Sequence, residues 1–170
     1  MTSKPRIRLS IFCAIIVSLL LMQNASAVPP PRTDGCSSHE RFFPIGGGGV
    51  LALSQGAVLR VPRGSLDEAT VLWGEVCSFT DEDGLPVTYY QFGPSGTQFD
   101  PPATLELHYG VEFDEYEATQ CYYWNEEAQE WEPVDSYHDA QRHRFVFEID
   151  HFSLYAVSAN RGEGEGTRLP

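Results

Sequence analysis

The sequence predicts an all-β protein: a two-sheet antiparallel β-sandwich of about nine strands, preceded by a signal peptide. Three observations carry this expectation. Apolar and polar residues alternate at period two through most of the chain. Gly, Pro, Asn and Asp punctuate the alternating runs. The first residues follow the basic, apolar, small-residue order of an export signal.

Lys4, Arg6 and Arg8 precede an apolar run from Ile11 to Met22, and Ala25-Ser26-Ala27 supplies small residues at the spacing a signal peptidase reads. The run is 12 residues long, whereas a helix needs about 20 to cross a bilayer. Cleavage is therefore expected between Ala27 and Val28, and Cys13 leaves with the peptide. The product is expected to be secreted, extracellular or periplasmic, with no stable membrane span after processing. Removing residues 1–27 leaves 143 residues and moves the formal charge from −13 to −16, because three basic groups and no acidic ones depart. That length suits one domain with a real core. So acidic a surface repels phosphate backbones and anionic lipid, which argues against nucleic acid and leaves an unknown protein or surface partner as the expectation.

Along the remaining chain, Val28-Pro29-Pro30-Pro31 opens a Pro-rich leader over 28–45. The sandwich is expected over 46–158. A flexible acidic Gly/Glu tail over 159–170 contains Gly162-Glu163-Gly164-Glu165-Gly166. Strands are predicted at Val50–Leu53, Ala57–Val61, Thr70–Phe79, Val87–Phe92, Thr104–Tyr109, Ala118–Trp124, Trp131–Val134, Phe145–Asp150 and Phe152–Ser158. The clearest are the runs in which Leu105, Leu107 and Tyr109, or Phe145, Phe147 and Ile149, alternate with polar residues, as half-buried antiparallel strands require. Asp83-Gly84, Gly93-Pro94-Ser95-Gly96 and Asn125 supply the turns. The stretch Val111–Glu132 lacks Gly and Pro, and its acidic first half suits a helical turn. Many short strands with turns between them pack as two sheets.

Cys36, Cys77 and Cys121 follow the signal peptide, an odd number in a compartment that permits disulfides. At most one internal bridge is possible, and the sequence leaves its pairing open. No two of these cysteines are close enough in sequence for a redox or zinc motif.

Four blocks resemble the ZU-five domain, the module named for zonula occludens and Unc-five proteins. They are Gly48 to Leu53, Val58-Leu59-Arg60-Val61-Pro62-Arg63-Gly64-Ser65-Leu66, Phe92-Gly93-Pro94-Ser95-Gly96-Thr97-Gln98-Phe99-Asp100-Pro101-Pro102-Ala103-Thr104-Leu105, and His151-Phe152-Ser153-Leu154-Tyr155-Ala156-Val157. The chain looks most like the versions on bacterial secreted or surface proteins. The resemblance implies a β-sandwich that serves as an interaction or structural module. It also implies one chemistry, self-cleavage between Phe152 and Ser153: the Ser153 hydroxyl attacks the Phe152 carbonyl, the acyl group moves from nitrogen to oxygen, and water opens the ester. His151 would take the proton, worth about 10² to 10⁴ in rate. Against this stands the preferred reading, in which Phe152 is a core residue where the last strand begins, with His151 and Ser153 pairing at a turn.

Three other constellations are weaker. Asp81-Glu82-Asp83-Gly84 begins like a calcium loop, but Leu85 and Pro86 stand where an EF-hand needs a ligand and glycine. His138, Asp139 and His143 offer metal-ligating atoms without a convincing further ligand. Tyr122, Tyr123, Trp124 and Trp131 suit either a core or a sugar-stacking platform, and alternation puts Tyr122 and Trp124 opposite Cys121 and Tyr123. No cofactor or resident metal is expected. The functional expectation is an interaction or structural module, with a self-processing domain and a carbohydrate-binding module as alternatives.

Overall fold

The computed structural model describes residues 35–116 and 118–160. The expected cleavage site at Ala27 and Val28, the signal peptide, residues 28–34 and the tail beyond 160 lie outside the described residues. Within these residues eleven strands form two antiparallel sheets. The larger sheet has the order β1 (Cys36–Phe43), β4 (Thr70–Thr80), β5 (Pro86–Gly93), β11 (Leu154–Asn160), β7 (Ala118–Asn125) and β8 (Glu130–Pro133). The smaller runs β2 (Gly49–Ala52), β3 (Val58–Val61), β6 (Gln98–His108), β10 (Arg144–His151) and β9 (Tyr137–Asp139). The all-β sandwich is thus as the periodicity predicts.

The inward residues of both sheets make one core. On β6, Leu105 and Leu107 are fully buried, and Leu105 is in register with Leu59 on one side and Phe147 on the other. Leu72, Val76, Tyr90, Cys121 and Val157 face them from the larger sheet. The Tyr90 hydroxyl is buried among these side chains and donates to the His108 carbonyl, tying the two sheets together. Burial raises its pKa well above the ordinary phenol value.

Several elements differ from the sequence expectation. Two strands are additional, β1 and β9. β1 falls inside the segment read as leader, so the sandwich begins at Cys36. Of its side chains only Phe43 is buried, so a sheet-edge strand left no period-two signal. β9 is three residues long, too short to show one. The last strand starts at Leu154, leaving Phe152 and Ser153 in the connection, and runs to Asn160, into the segment read as tail. The acidic stretch after Gly110 does form the helical turn its sequence suits, a 3-10 turn at Val111–Glu115, pinned by the buried Phe113.

Candidate functional site

The His151-Phe152-Ser153 triplet sits where the chain leaves the smaller sheet at the end of β10 and enters the larger at the start of β11. A register shift between Ile149 and His151 turns the strand outward just before the crossing. Phe152 then wedges inward: its ring stacks on Phe92 at 5.5 Å and meets Phe99 edge-on at 5.0 Å. Those two phenylalanines flank the Gly93-Pro94-Ser95-Gly96 turn, closed by Thr97 N–H donating to the Pro94 carbonyl. The crossing strand is therefore held by packing.

The polar atoms on either side of Phe152 point apart. The Ser153 hydroxyl donates to the Trp124 carbonyl at 2.8 Å. His151 Nδ1 meets Asp150 Oδ1 at 2.5 Å, and its imidazole is largely exposed. That hydrogen bond from His151 holds the Asp150 carboxyl below the usual carboxylate range. Among the described residues no hydrogen bond joins His151 to Ser153. The residues with positive φ are Gln55, Gln129, His143 and several glycines, all outside the triplet. His151 separates two clefts: one of about 460 Å³ lined by Ser95, Gln98, Trp124, Glu127 and Phe152, and one of about 310 Å³ lined by Ser65, Asp67, Asp100 and Asp150.

The candidate metal ligands are dispersed. His138 stacks on Phe145 with ring centroids 4.1 Å apart and shares a 2.7 Å hydrogen bond with the Tyr109 hydroxyl. Burial holds its pKa below the ordinary imidazole value. Asp139 is taken by Arg142 and Arg144, and His143 pairs with Asp114 at 2.9 Å. Cys36, Glu75 and Cys77 do bring three potential ligand atoms together, but the two sulfurs are joined in a disulfide. Asp81 closes the β4–β5 hairpin, its Oδ1 accepting from the N–H groups of Asp83 and Leu85. Cys121, the one free cysteine among the described residues, is buried in the core beside Val157 of β11, and this burial pushes its thiol well above the ordinary range.

The outer face of the smaller sheet is a charge network. Arg144 bridges Glu106 at 2.7 Å and Asp139 at 3.3 Å, and His108 approaches Glu106 at 2.9 Å. His108 and then Arg144 hold Glu106 below its ordinary value of 4.5. A depressed carboxyl favours the folded state while ionised, so this stabilisation is complete above about pH 4.5 and drains as the pH falls through the lower folded value. Glu106→Gln is expected to flatten the acid limb of a urea-midpoint series measured from pH 6 to pH 3. An unchanged limb would place the acid sensitivity elsewhere.

The larger sheet differs. On β4, Leu72 and Val76 enter the core, so Val71, Trp73, Glu75 and Cys77 point away from it. Tyr123 packs against the core, which turns Tyr122 and Trp124 to the outer face. There a second cluster forms: Cys77, Val87, Tyr89 and Ala156, covered by Cys36, Phe79 and Trp131. Trp131 stacks on Tyr89 at 5.5 Å, nearly parallel, and meets Trp124 edge-on at 5.5 Å. All three tryptophans of the chain are on this face, each half-buried. The sequence singled out Trp124 and Trp131 but passed over Trp73, whose direction depends on the β4 parity alone.

Trp73 lies flat. A Cβ built on Gly93, its partner across β4 and β5, would meet indole atoms at 2.2 to 2.5 Å. Gly93 is thus the one residue that lets the ring rest on the sheet and present its other face. No known family profile and no curated protein sequence matches this chain.

Proposed function

We propose that this chain is a secreted or surface-exposed interaction module that binds a partner through the outer face of its larger sheet. The observation that carries the reading is the presence of all three tryptophans on that face, half-buried, where a sheet face meeting only water would be polar. Tryptophan joins a large apolar surface to a single donor and is enriched among residues that dominate binding energy. The four blocks resembling the ZU-five domain support the same reading, since that module serves mainly in interactions. The export signal read at residues 1–27 supports a location outside the cell.

In this reading His151-Phe152-Ser153 is a structural crossing between the sheets. Support comes from the Ser153 hydroxyl, which donates to Trp124 and away from the bond it would attack. The protein, incubated for days near neutral pH, is expected to keep its mass under denaturing conditions, and Ser153→Ala to change nothing but local stability, by about 1 kcal/mol. A fragment beginning at Ser153 would make self-processing the better account.

Site-specific photo-cross-linking in the cells that make the protein tests the interaction reading. A photoreactive residue replacing Gln91, which is exposed in the middle of the larger sheet, is expected to yield discrete adducts. The same residue replacing Thr104, on the outer face of the smaller sheet, is expected to yield none. Adducts at neither position, or equally at both, would contradict the reading.

A further inference from the structure

The outer face of the larger sheet is uneven in charge. In register across β1 and β4, Trp73 stands opposite Glu40, and Glu75 is the next outward residue on its own strand. Beyond Trp73 the pair Phe42 and Val71 is 61 % and 45 % exposed. Among the described residues, no outward position of β1, β4 or β5 is an arginine, lysine or histidine. The arginines of the described residues are elsewhere. Arg60 and Arg144 serve the network on the opposite sheet, Arg142 pairs with Asp139, and Arg63 follows β3. Arg41, of the parity opposite to Phe42, donates to the Val50 carbonyl and lies over the Phe43 ring.

We infer that this end of the larger sheet, where the flat Trp73 indole has Glu40 across from it on β1, Glu75 next along its own strand and the exposed pair Phe42 and Val71 beyond, docks an arginine-bearing segment of a partner protein. The inference rests on the interaction-module reading and names its partner's chemistry. A guanidinium is planar and weakly hydrated, so it stacks on an indole face while its edge donates to carboxylates. The arginine stem is apolar and covers Phe42 and Val71 while its head stays at the carboxylates. A flat indole with Glu40 on the neighbouring strand and Glu75 on its own, and no cation at the outward positions around it among the described residues, complements that side chain in shape and charge. An anionic ligand would meet repulsion from Glu40 and Glu75, and a neutral one would leave them unused.

The test is a titration of the purified protein, followed by tryptophan fluorescence, with three peptides of equal length that alternate glycine with arginine, lysine or serine. The arginine peptide is expected to give saturable quenching, bind more tightly than the lysine peptide, and weaken steeply with salt. Trp73→Ala should weaken it about tenfold. Combining Glu40→Gln with Glu75→Gln should weaken it to a similar degree and flatten the salt dependence. Glu148→Gln, exposed on the smaller sheet, should leave it unchanged, which separates this site from general attraction to an acidic protein. Gly93→Ala keeps all the charges but lifts the indole, and should weaken binding as well. Circular dichroism and thermal midpoints check that each variant folds.

Equal binding of arginine and serine peptides would overturn the inference, as would an affinity indifferent to Trp73→Ala. So would saturable binding of a neutral oligosaccharide in place of the peptides, or concentration-dependent self-association lost in Trp73→Ala, which would make the occupant a second copy. Cross-links at position 91 with no arginine preference would leave the interaction module standing and remove only the cationic partner. Absence of those cross-links would instead count against the module itself.

Discussion

Leu105→Ala is expected to cost about 3 to 5 kcal/mol, the upper part of the range for emptying a fully buried leucine site. Leu105 is the middle of the middle strand of the smaller sheet, with no exposed surface, clasped between Leu59 and Phe147 in register. Its neighbours are strands fixed by ladders on both sides, so they cannot close over the cavity. A domain of this size has about 5 to 15 kcal/mol of stability in all, so the variant should melt far below the wild type. Thr104→Ala, one residue away and on the opposite face, should cost about 0.5 kcal/mol or less. Equilibrium urea unfolding of the two variants measures the difference. Similar costs at both positions would mean that the strand's two faces are not assigned as described.

Loss of the Cys36–Cys77 disulfide is expected to have the second largest effect. The bridge joins residues 41 apart in sequence that stand in register across β1 and β4. Closing a loop of that length in the unfolded chain corresponds to about 4 kcal/mol in the chain-entropy account. β1 has little else to hold it, since it is an edge strand whose side chains, Phe43 apart, are not fully buried. Cys36→Ala combined with Cys77→Ala should therefore lower the unfolding midpoint by about 2 to 4 kcal/mol in equivalent stability and expose β1 amides to hydrogen exchange. Thiol titration of the unreduced protein beginning at Val28 should count no reactive group in the native state and one, Cys121, in denaturant. A midpoint unchanged by the double substitution, or more than one thiol in denaturant, would contradict the pairing.

The residues themselves made much of the fold legible. β6 and β10 each bury one face and wet the other, so Leu105, Leu107, Phe145 and Phe147 announce their strands at period two. β1 gave no such signal, because an edge strand at the rim of a sandwich wets both faces. The alternation of Cys121, Tyr122, Tyr123 and Trp124 separated the two faces of β7 correctly, but it could not say which was core. Both faces carry aromatic rings, and only the sheet order decides. The disulfide partner and the resting place of Trp73 depend on the register of β4 against β1 and β5, a non-local property that spacing along the chain does not contain. The His151-Phe152-Ser153 triplet was visible as a motif, whereas the direction of its polar atoms, away from each other, was set by the distant Trp124 carbonyl.

On the proposed interaction reading, the outer face of the larger sheet is the working surface. Oxidative footprinting of the protein, read residue by residue by mass spectrometry, tests it most directly, once after purification and once in the milieu of the cells that produce it. Trp73 and Trp124 are expected to be oxidised in the purified protein and protected in that milieu. Tyr137, exposed on the edge strand of the smaller sheet, is expected to react equally in both. Equal oxidation of Trp73 and Trp124 in the two settings, or protection confined to Tyr137, would contradict the account.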